Sequence, residues 1–408
     1  MNILLIAYYY NQLGCGGVER PRSLVRHFTA AGHRVTVLTA GYQGDRLDGP
    51  EAIVFDPSRS WDRRGLNYCH WLGRRLVVEA YLKLGFSSSL FTGWLKRAEL
   101  SIPAILARFS PHVVLATYPT AENLLLGLHI HEHFGIPLVA DFRDGLLFEP
   151  VERRALHHPA VRQSYEKLET RVAREAAAIV TVSPPISRYF QEKFGCHQVI
   201  TIPNGYSADP SLIPLEPNPF APERFHMVHT GSISLSDRGC NLAPLIQGVE
   251  MALADSPDLR RRLIIHFAGR LSLRERRLLR PLTAAGIARL YGSLPRETSL
   301  WMQGKADLLL LLTSPDRTSV ATTKIFEYMH AEKPVLALAA GTFAAEIIAE
   351  TGIGWTIPND SPQNACAVLT AIMKGELPPP RPNELAIRRY DRKAQSDTYL
   401  SLLEQVRR

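Results

Sequence analysis

Lys324 and Glu327 lie three residues apart in TSVATTKIFEYMHAEKPVLAL, residues 318–338. That spacing puts an ammonium and a carboxylate on one face of a helix, near its start. Thr322 or Thr323 is placed to cap the helix, and Pro334 to stop it before a short buried strand at Val335–Leu338. The plain account of the pair is a local ion bridge. Other segments offer further chemistry. In NQLGCGGVERPRSL (residues 11–24), Gly14, Gly16 and Gly17 open a helix. Such glycines admit close backbone approach, and main-chain amides at a helix start attract phosphate. The spacing is neither GxGxxG nor the P-loop pattern, and a simple tight turn serves equally well. In VADFRDGLLFEP (139–150), Asp141, Arg143 and Asp144 stand at the end of an apolar strand. Charges there are either paired internally or face a cleft, and an Arg–Asp bridge accounts for one of the two aspartates. In HTGSISLSDRGCNLAPL (229–245), the amides of Gly231 and Ser232 together with Arg238 suit a diphosphate. Arg270 in FAGR ends another strand, and LYGSLPRE (290–297) is placed to frame a planar base. Tyr118 in ATYPTAENLL, VSPP at 182–185 and Asn204 in IPNG follow further strands, each also compatible with ordinary turn chemistry.

These loops need a frame that gathers strand ends. Short apolar runs alternate with helical patterns almost throughout. In the first half the predicted strands are 3–7, 35–38, 113–116, 138–140, 179–182 and 199–202, with helices near 18–31, 121–134, 160–176 and 185–194. The alternation implies α/β architecture with parallel sheets. It pauses in a proline-rich stretch, 203–225, read as an interdomain linker, and resumes with strands at 227–230, 264–268, 289–291, 308–312 and 335–338. A long charged helix is predicted over 384–408 after the breaker PPPRPN. Two parallel-sheet domains result. In such sheets ligands bind beyond the carboxyl ends of the strands, where all these loops fall.

The 408 residues carry 47 Lys+Arg against 39 Asp+Glu, a net +8 that suits an anionic ligand or membrane surface without singling out nucleic acid. Five cysteines are scattered singly, which argues against a disulfide framework or structural zinc and for a reducing cytoplasm. MNILLIAYYY reads as a first strand, not a signal peptide, and no apolar run approaches the ~20 residues of a membrane span. One segment breaks the rhythm. Residues 58–100 interleave Trp61, Trp71 and Trp94 with Arg63, Arg64, Arg74, Arg75 and Lys83. A helix with a basic outer face and a surface at lipid-headgroup level both fit.

GCGGVER, DFRD, VSPP, IPNG and TKIFEYMHAEKPVLAL, in that order, resemble the retaining glycosyltransferases of family 4, which have the GT-B fold. The likeness runs over nearly the whole chain and is poorest at 58–100. It implies two Rossmann-like domains facing across a cleft: an acceptor-binding one over 1–205 completed by the helix 384–408, and a nucleotide-sugar-binding one over 206–383. It implies transfer of a hexosyl group from a nucleotide-diphosphate sugar, UDP by family frequency, to an acceptor hydroxyl with retention. By the same likeness Glu327 binds ribose hydroxyls. The amides of Thr323, Lys324 and Ile325, the Lys324 ammonium, Gly231, Ser232, Arg238 and Arg270 meet the diphosphate. Gly16 and Gly17 face the phosphates from the other domain. Asp144, Asp141 and Arg143 form the catalytic, acceptor-side loop, with Asp144 orienting the hydroxyl, and Tyr118 and Asn204 line the acceptor side. The leaving phosphate itself can take the acceptor proton. No metal and no cofactor beyond the sugar nucleotide is implied. Bacterial relatives build surface polysaccharide at the inner membrane face, and a saccharide or lipid-linked acceptor fits that setting.

The sequence departs from the family in three places. Ser319 stands where many members carry a glutamate eight residues before the ribose-binding one. Arg238 stands alone where an Arg and a Lys six apart are usual. Asp141 and Asp144 occupy a region where relatives have a histidine. Two alternatives remain open: a non-hydrolysing sugar-nucleotide 2-epimerase, and a degenerate protein that holds nucleotide sugar without turnover.

Overall fold

The computed structural model describes residues 1–11, 18–41, 51–55, 92–150, 155–207, 211–235 and 239–407. The chain divides into two compact units, Met1–Pro203 with Gln395–Arg408, and Asn204–Ala394.

In the first unit seven parallel strands form one sheet in the order β3-β2-β1-β4-β5-β6-β7. They are β1 (Asn2–Ile6), β2 (Arg34–Gly41), β3 (Glu51–Phe55), β4 (Val113–Tyr118), β5 (Leu138–Phe142), β6 (Ala178–Thr181) and β7 (Val199–Thr201). Central strands such as NILLI and VVLATY are apolar on both faces because helices cover both sides. Alternation decides which residue goes where. Leu4 and Ile6 join Val114, Leu138 and Trp94 on one side, while Ile3 and Leu5 join Val113, Phe28, Tyr399 and Leu403 on the other. The second unit repeats the plan with six parallel strands ordered β10-β9-β8-β11-β12-β13. These are β8 (Phe225–Thr230), β9 (Leu263–Ala268), β10 (Ala288–Leu290), β11 (Leu308–Leu312), β12 (Val335–Leu338) and β13 (Gly354–Ile357). In each sheet the chain order reverses beside the first strand, between β1 and β4 and between β8 and β11. These are the switch points at which open α/β sheets bind ligands.

The predicted strands are present, with two additions. β3 and β13 lack a long apolar run, and each finds its place through ladder pairing at a sheet edge, to β2 and β12. Two expectations are corrected. The single helix 384–408 is broken into Glu384–Arg388 and Arg392–Val406. The break is stabilised because the Tyr206 amide donates to the Tyr390 carbonyl (3.0 Å) and the Arg392 amide donates to the Tyr206 carbonyl (3.0 Å). Asp391 Oδ1 then accepts from the Lys393 and Ala394 amides and caps the second helix. The proline-rich stretch is not a bare tether, since Tyr206, Leu215 and Phe220 pack on the core of the second unit.

Most of the aromatic, basic segment, residues 58–91, lies outside the described residues. Its last part belongs to the helix Thr92–Phe109, in which Trp94 is fully buried and meets Tyr8 edge-on at 5.0 Å. That tryptophan is core, not headgroup surface. Among the described residues no helix is long and apolar enough to cross a membrane.

Candidate functional site

In the second unit β8 delivers Gly231, and the β11 loop delivers the helix Thr323–Ala331, on the two sides of the switch point. Gly231 has φ +85°, and its amide donates to the Ala268 carbonyl at 2.6 Å. A Cβ there would come within 2.8 Å of Lys324 Cε, so glycine is needed both for the backbone and for the lysine beside it. Lys324 Nζ donates to the Ser232 carbonyl at 3.1 Å. The ammonium is thus carried back over the Gly231–Ser232 turn. The next residues of that turn are held from below, where the Ser234 amide donates to Glu275 Oε1 at 2.8 Å. Glu275 also forms a reciprocal capping box with Ser272. Burial opposes the Glu275 charge, but the amide bonds from Ser234 and Ser272 hold its carboxyl below the usual range.

Thr322 is the N-cap residue of the helix Thr323–Ala331, but its side chain makes no capping bond, and its buried hydroxyl has no partner among the described residues. The expected threonine cap is therefore absent. The amide end of the helix and its positive dipole stay uncapped by that side chain, next to Lys324. Glu327 does not bridge to Lys324. Its carboxylate accepts from Arg296 Nε (3.3 Å) and Gln303 Nε2 (3.3 Å), and its side chain is 18% exposed. Gln303 also donates to Thr230 Oγ1 at 2.9 Å, tying Glu327 to the end of β8. Beneath, the Tyr328 hydroxyl donates to the Leu310 carbonyl (3.1 Å) and accepts from the Thr230 amide (3.4 Å). The Lys324 and Glu327 side chains therefore serve two different partners, as two contacts to one ligand require.

His229 lies under the same turn. Its Nδ1 donates to the Leu310 carbonyl at 2.9 Å, and its buried Nε2 has no partner among the described residues. Burial first, and Lys324 second, push its pKa down to about 3, so it is neutral. Arg270 follows Gly269, which packs directly against Gly231, and its side chain is exposed. Ser319, in the position of the family's first glutamate, is buried. In the β10 loop, Tyr291 stacks on His266 (5.7 Å, 16°), which stacks on Phe220 (4.8 Å, 22°). The Ala221 carbonyl only accepts, so His226 Nε2 carries a proton and His226 Nδ1 accepts from His266 Nε2 at 2.9 Å. His266 Nδ1 in turn accepts from the Tyr291 hydroxyl at 2.7 Å. Tyr291 is thus engaged by the protein's own rings. Arg238, Gly16 and Gly17 lie outside the described residues.

In the first unit the switch point is closed by Asn123. It donates to the Thr117 carbonyl (2.7 Å) and accepts from the Tyr8 amide (3.3 Å), joining the β4 and β1 loops. Tyr118 is buried, and its carbonyl accepts from both the main chain and Nε of Arg143, whose Nη2 donates to the Pro119 carbonyl at 3.2 Å. Arg143 is therefore a clamp between the β4 and β5 loops. Asp144 follows it, partly exposed. Gly145 makes the turn so tight that a Cβ would sit 1.7 Å from the Phe148 carbonyl oxygen. Two residues on, the Leu147 amide donates to Glu169 Oε1 at 3.3 Å. Glu169 is fully buried, and its other oxygen accepts from the Tyr189 hydroxyl (2.6 Å) and Lys193 Nζ (3.0 Å).

Asp141 corrects the sequence expectation. It is 1% exposed, and its carboxylate accepts from Arg20 Nη2 (2.9 Å), Arg20 Nε (3.3 Å) and the Tyr399 hydroxyl (2.8 Å). Arg20 Nη1 also donates to the Ile202 (2.8 Å) and Pro203 (2.7 Å) carbonyls. Burial opposes the Arg20 charge, yet Asp141 and Tyr399 raise its pKa, and burial drives the Tyr399 hydroxyl well above its ordinary value. This is a buried cluster in which the Asp141 carboxylate is bonded within the protein. Asn204 is the first residue of the second unit, half-buried. Arg20 lies in GCGGVER, where the neighbouring glycines carry the stronger local signal. Glu275 was legible from the SLRE capping box, whereas Arg296, Gln303, Glu169 and Tyr399 carry no local signal.

Residues 16–205 match the family described as Glycosyl transferase 4-like domain. No curated protein sequence matches the chain. Among solved structures, a sucrose-phosphate synthase from Thermosynechococcus elongatus is similar at TM-score 0.67 with 14% identity, over 100% of this chain and 99% of that one. Anabaena Alr3699/HepE in complex with UDP-glucose is similar at TM-score 0.61 with 15% identity, over 99% and 100%. WaaG, a glycosyltransferase involved in lipopolysaccharide biosynthesis, is similar at TM-score 0.56 with 14% identity, over 99% and 98%. The chain therefore has a fold of the GT-B glycosyltransferase type, with residues 16–205 matching the glycosyl transferase 4-like family.

Proposed function

We propose that the protein transfers a sugar from a nucleotide-diphosphate donor, UDP-linked, to an acceptor hydroxyl with retention of anomeric configuration. The observation that carries this reading is the helix start at Thr323: an amide end left uncapped by Thr322, with Lys324 folded over Gly231 and Glu327 one turn on. The second unit takes the donor. Its diphosphate draws Lys324 from the Ser232 carbonyl and accepts the amides of Thr323 and Lys324, the Ile325 amide already donating to the Thr322 carbonyl at 3.1 Å, and Arg270 adds charge. These groups stabilise the leaving diphosphate without a metal. Glu327, steadied by Arg296 and Gln303, accepts the ribose hydroxyls. The first unit takes the acceptor, with Asp144 orienting its hydroxyl and the leaving phosphate receiving its proton. A structural neighbour bound to UDP-glucose supports the donor class. A neighbour involved in lipopolysaccharide biosynthesis supports a saccharide or lipid-linked acceptor. The buried Ser319 favours one competing reading, a protein that holds nucleotide sugar without turnover.

A thermal-shift screen of UDP sugars is the test. A ligand at 100 times its Kd raises stability by about 2.7 kcal/mol. Lys324→Ala and Gly231→Ala should each abolish that shift, whereas Asp144→Asn should keep it and lose transfer. Binding unchanged in Lys324→Ala, or transfer retained in Asp144→Asn, overturns the respective assignment. Donor hydrolysis by the wild type excludes the non-catalytic reading.

A further inference from the structure

The helix Ala121–Phe134 ends in LHIHEHF. His129 and His133 are four apart and share one face. Their ring centres are 4.2 Å apart with planes inclined by 31°. His133 Nδ1 lies 3.0 Å from the main-chain oxygen of His129. A carbonyl can only accept, so Nδ1 carries the hydrogen and the neutral ring presents its lone pair at Nε2. Metal-bound imidazoles are held in this manner, one nitrogen fixed on a backbone carbonyl and the other on the ion. Two imidazoles sharing an ion at about 2.0–2.1 Å, with roughly a right angle between the bonds, bring their ring centres to about 4.5 Å. The two rings stand within a few tenths of an ångström of that separation.

We propose that His129 and His133 form a surface site for a borderline divalent transition ion, Cu²⁺ ahead of Ni²⁺ or Zn²⁺, completed by water. Imidazole pairs prefer these ions, and Mg²⁺ and Ca²⁺ seek oxygen ligands. Among the described residues no group of three or more His, Cys, Asp or Glu side chains is placed to hold a metal, so two positions of the ion come from protein and the rest stay open. The ion sits on the last turn, where the negative end of the helix dipole favours a cation. The helix starts just after β4 and ends just before β5, so its final turn lies toward the amino-terminal ends of the strands, opposite to Tyr118 and Asp144 at the carboxyl ends. The site is therefore separate from the proposed donor and acceptor residues and binds metal whether or not that reading holds.

The test is calorimetric and EPR titration of Cu²⁺, with Zn²⁺ and Ni²⁺ as competitors, into the untagged full chain. The chain has 14 histidines, so the variants carry the assignment. His129→Ala and His133→Ala should each raise the Kd of the tightest equivalent at least tenfold. His131→Ala should leave it within twofold, because His131 is two positions from each of the pair and residues two apart in a helix do not face each other. His133→Gln serves if the alanine variant alters the circular dichroism spectrum. Affinity unchanged in His133→Ala or His133→Gln, or lost equally in His131→Ala, overturns the site.

Discussion

Asp141→Asn separates a structural role from a catalytic one. In the folded chain the Asp141 carboxylate accepts three hydrogen bonds, two from Arg20 and one from Tyr399, all buried. Asparagine keeps the shape but removes the charge, and its amide group presents donors toward Arg20. The guanidinium then stays buried with only the Ile202 and Pro203 carbonyls and the Tyr399 oxygen as partners. Leaving one member of a buried ion pair alone costs about 3–5 kcal/mol. The usual stability of a domain is about 5–15 kcal/mol, so the loss is a large share. Arg20→Met should cost a similar amount by stranding Asp141. Combining Arg20→Met with Asp141→Leu removes both charges, and about half or more of the single-variant loss should return. The assay is urea unfolding followed by a fluorescence probe in the first unit, because two units need not unfold together. Asp141→Asn unfolding within about 0.5 kcal/mol of wild type, the scatter of a surface change, would refute the internal-cluster assignment. Loss of transfer in such a stable variant would return Asp141 to the catalytic loop.

Two further outcomes follow from buried groups. His229 and His266 are both neutral in the fold, with pKa values held down to about 3 chiefly by burial. Unfolded imidazoles titrate near 6.5. Between those values the unfolded chain binds protons that the folded chain does not, so this stability is complete above pH 6.5 and is lost as pH falls toward 3. From neutrality to pH 5 each group loses about 2 kcal/mol, together about 4 kcal/mol. Denaturation of the second unit at pH 7, 6 and 5 measures this, and a flat profile contradicts it. Glu169→Ala strands the Leu147 amide, the Tyr189 hydroxyl and Lys193, and should loosen the loop 143–148 and speed its amide hydrogen exchange at least tenfold. Glu169→Gln, which retains an acceptor for Leu147, should restore part of the protection. Equal exchange in wild type and Glu169→Ala disproves the anchoring.

How much of this was legible in sequence follows from the range of each interaction. LLLLL at 308–312 and NILLI at 2–6 announce strands covered on both faces, so the two parallel sheets could be read directly. TTKIFEY announced a helix start with a cation and an anion on one face. The partners of those charges were not legible: Ser232 is 92 residues from Lys324, and Arg296 is 31 from Glu327. Asp141 shows the cost. A buried charge must be paired, and the sequence carried that demand, but its partners stand 121 and 258 residues away, one of them on the terminal helix. Local pattern reveals the need for a partner and not which residue answers it. β13 and the break at 389–391 were missed for the same reason, since ladder bonds to β12 and to Tyr206 set them.

The first unit is made from both early and late parts of the chain, Met1–Pro203 and Gln395–Arg408, with the second unit inserted between. Synthesis runs in one direction, so the inserted unit emerges from the ribosome before its host is finished. At about 5–20 residues per second, some 10–40 s separate Pro203 from Leu403. Throughout that interval Phe28, Val37 and Leu115 lack Tyr399, Leu402 and Leu403 as cover, and the nascent amino-terminal sheet waits with one face incomplete.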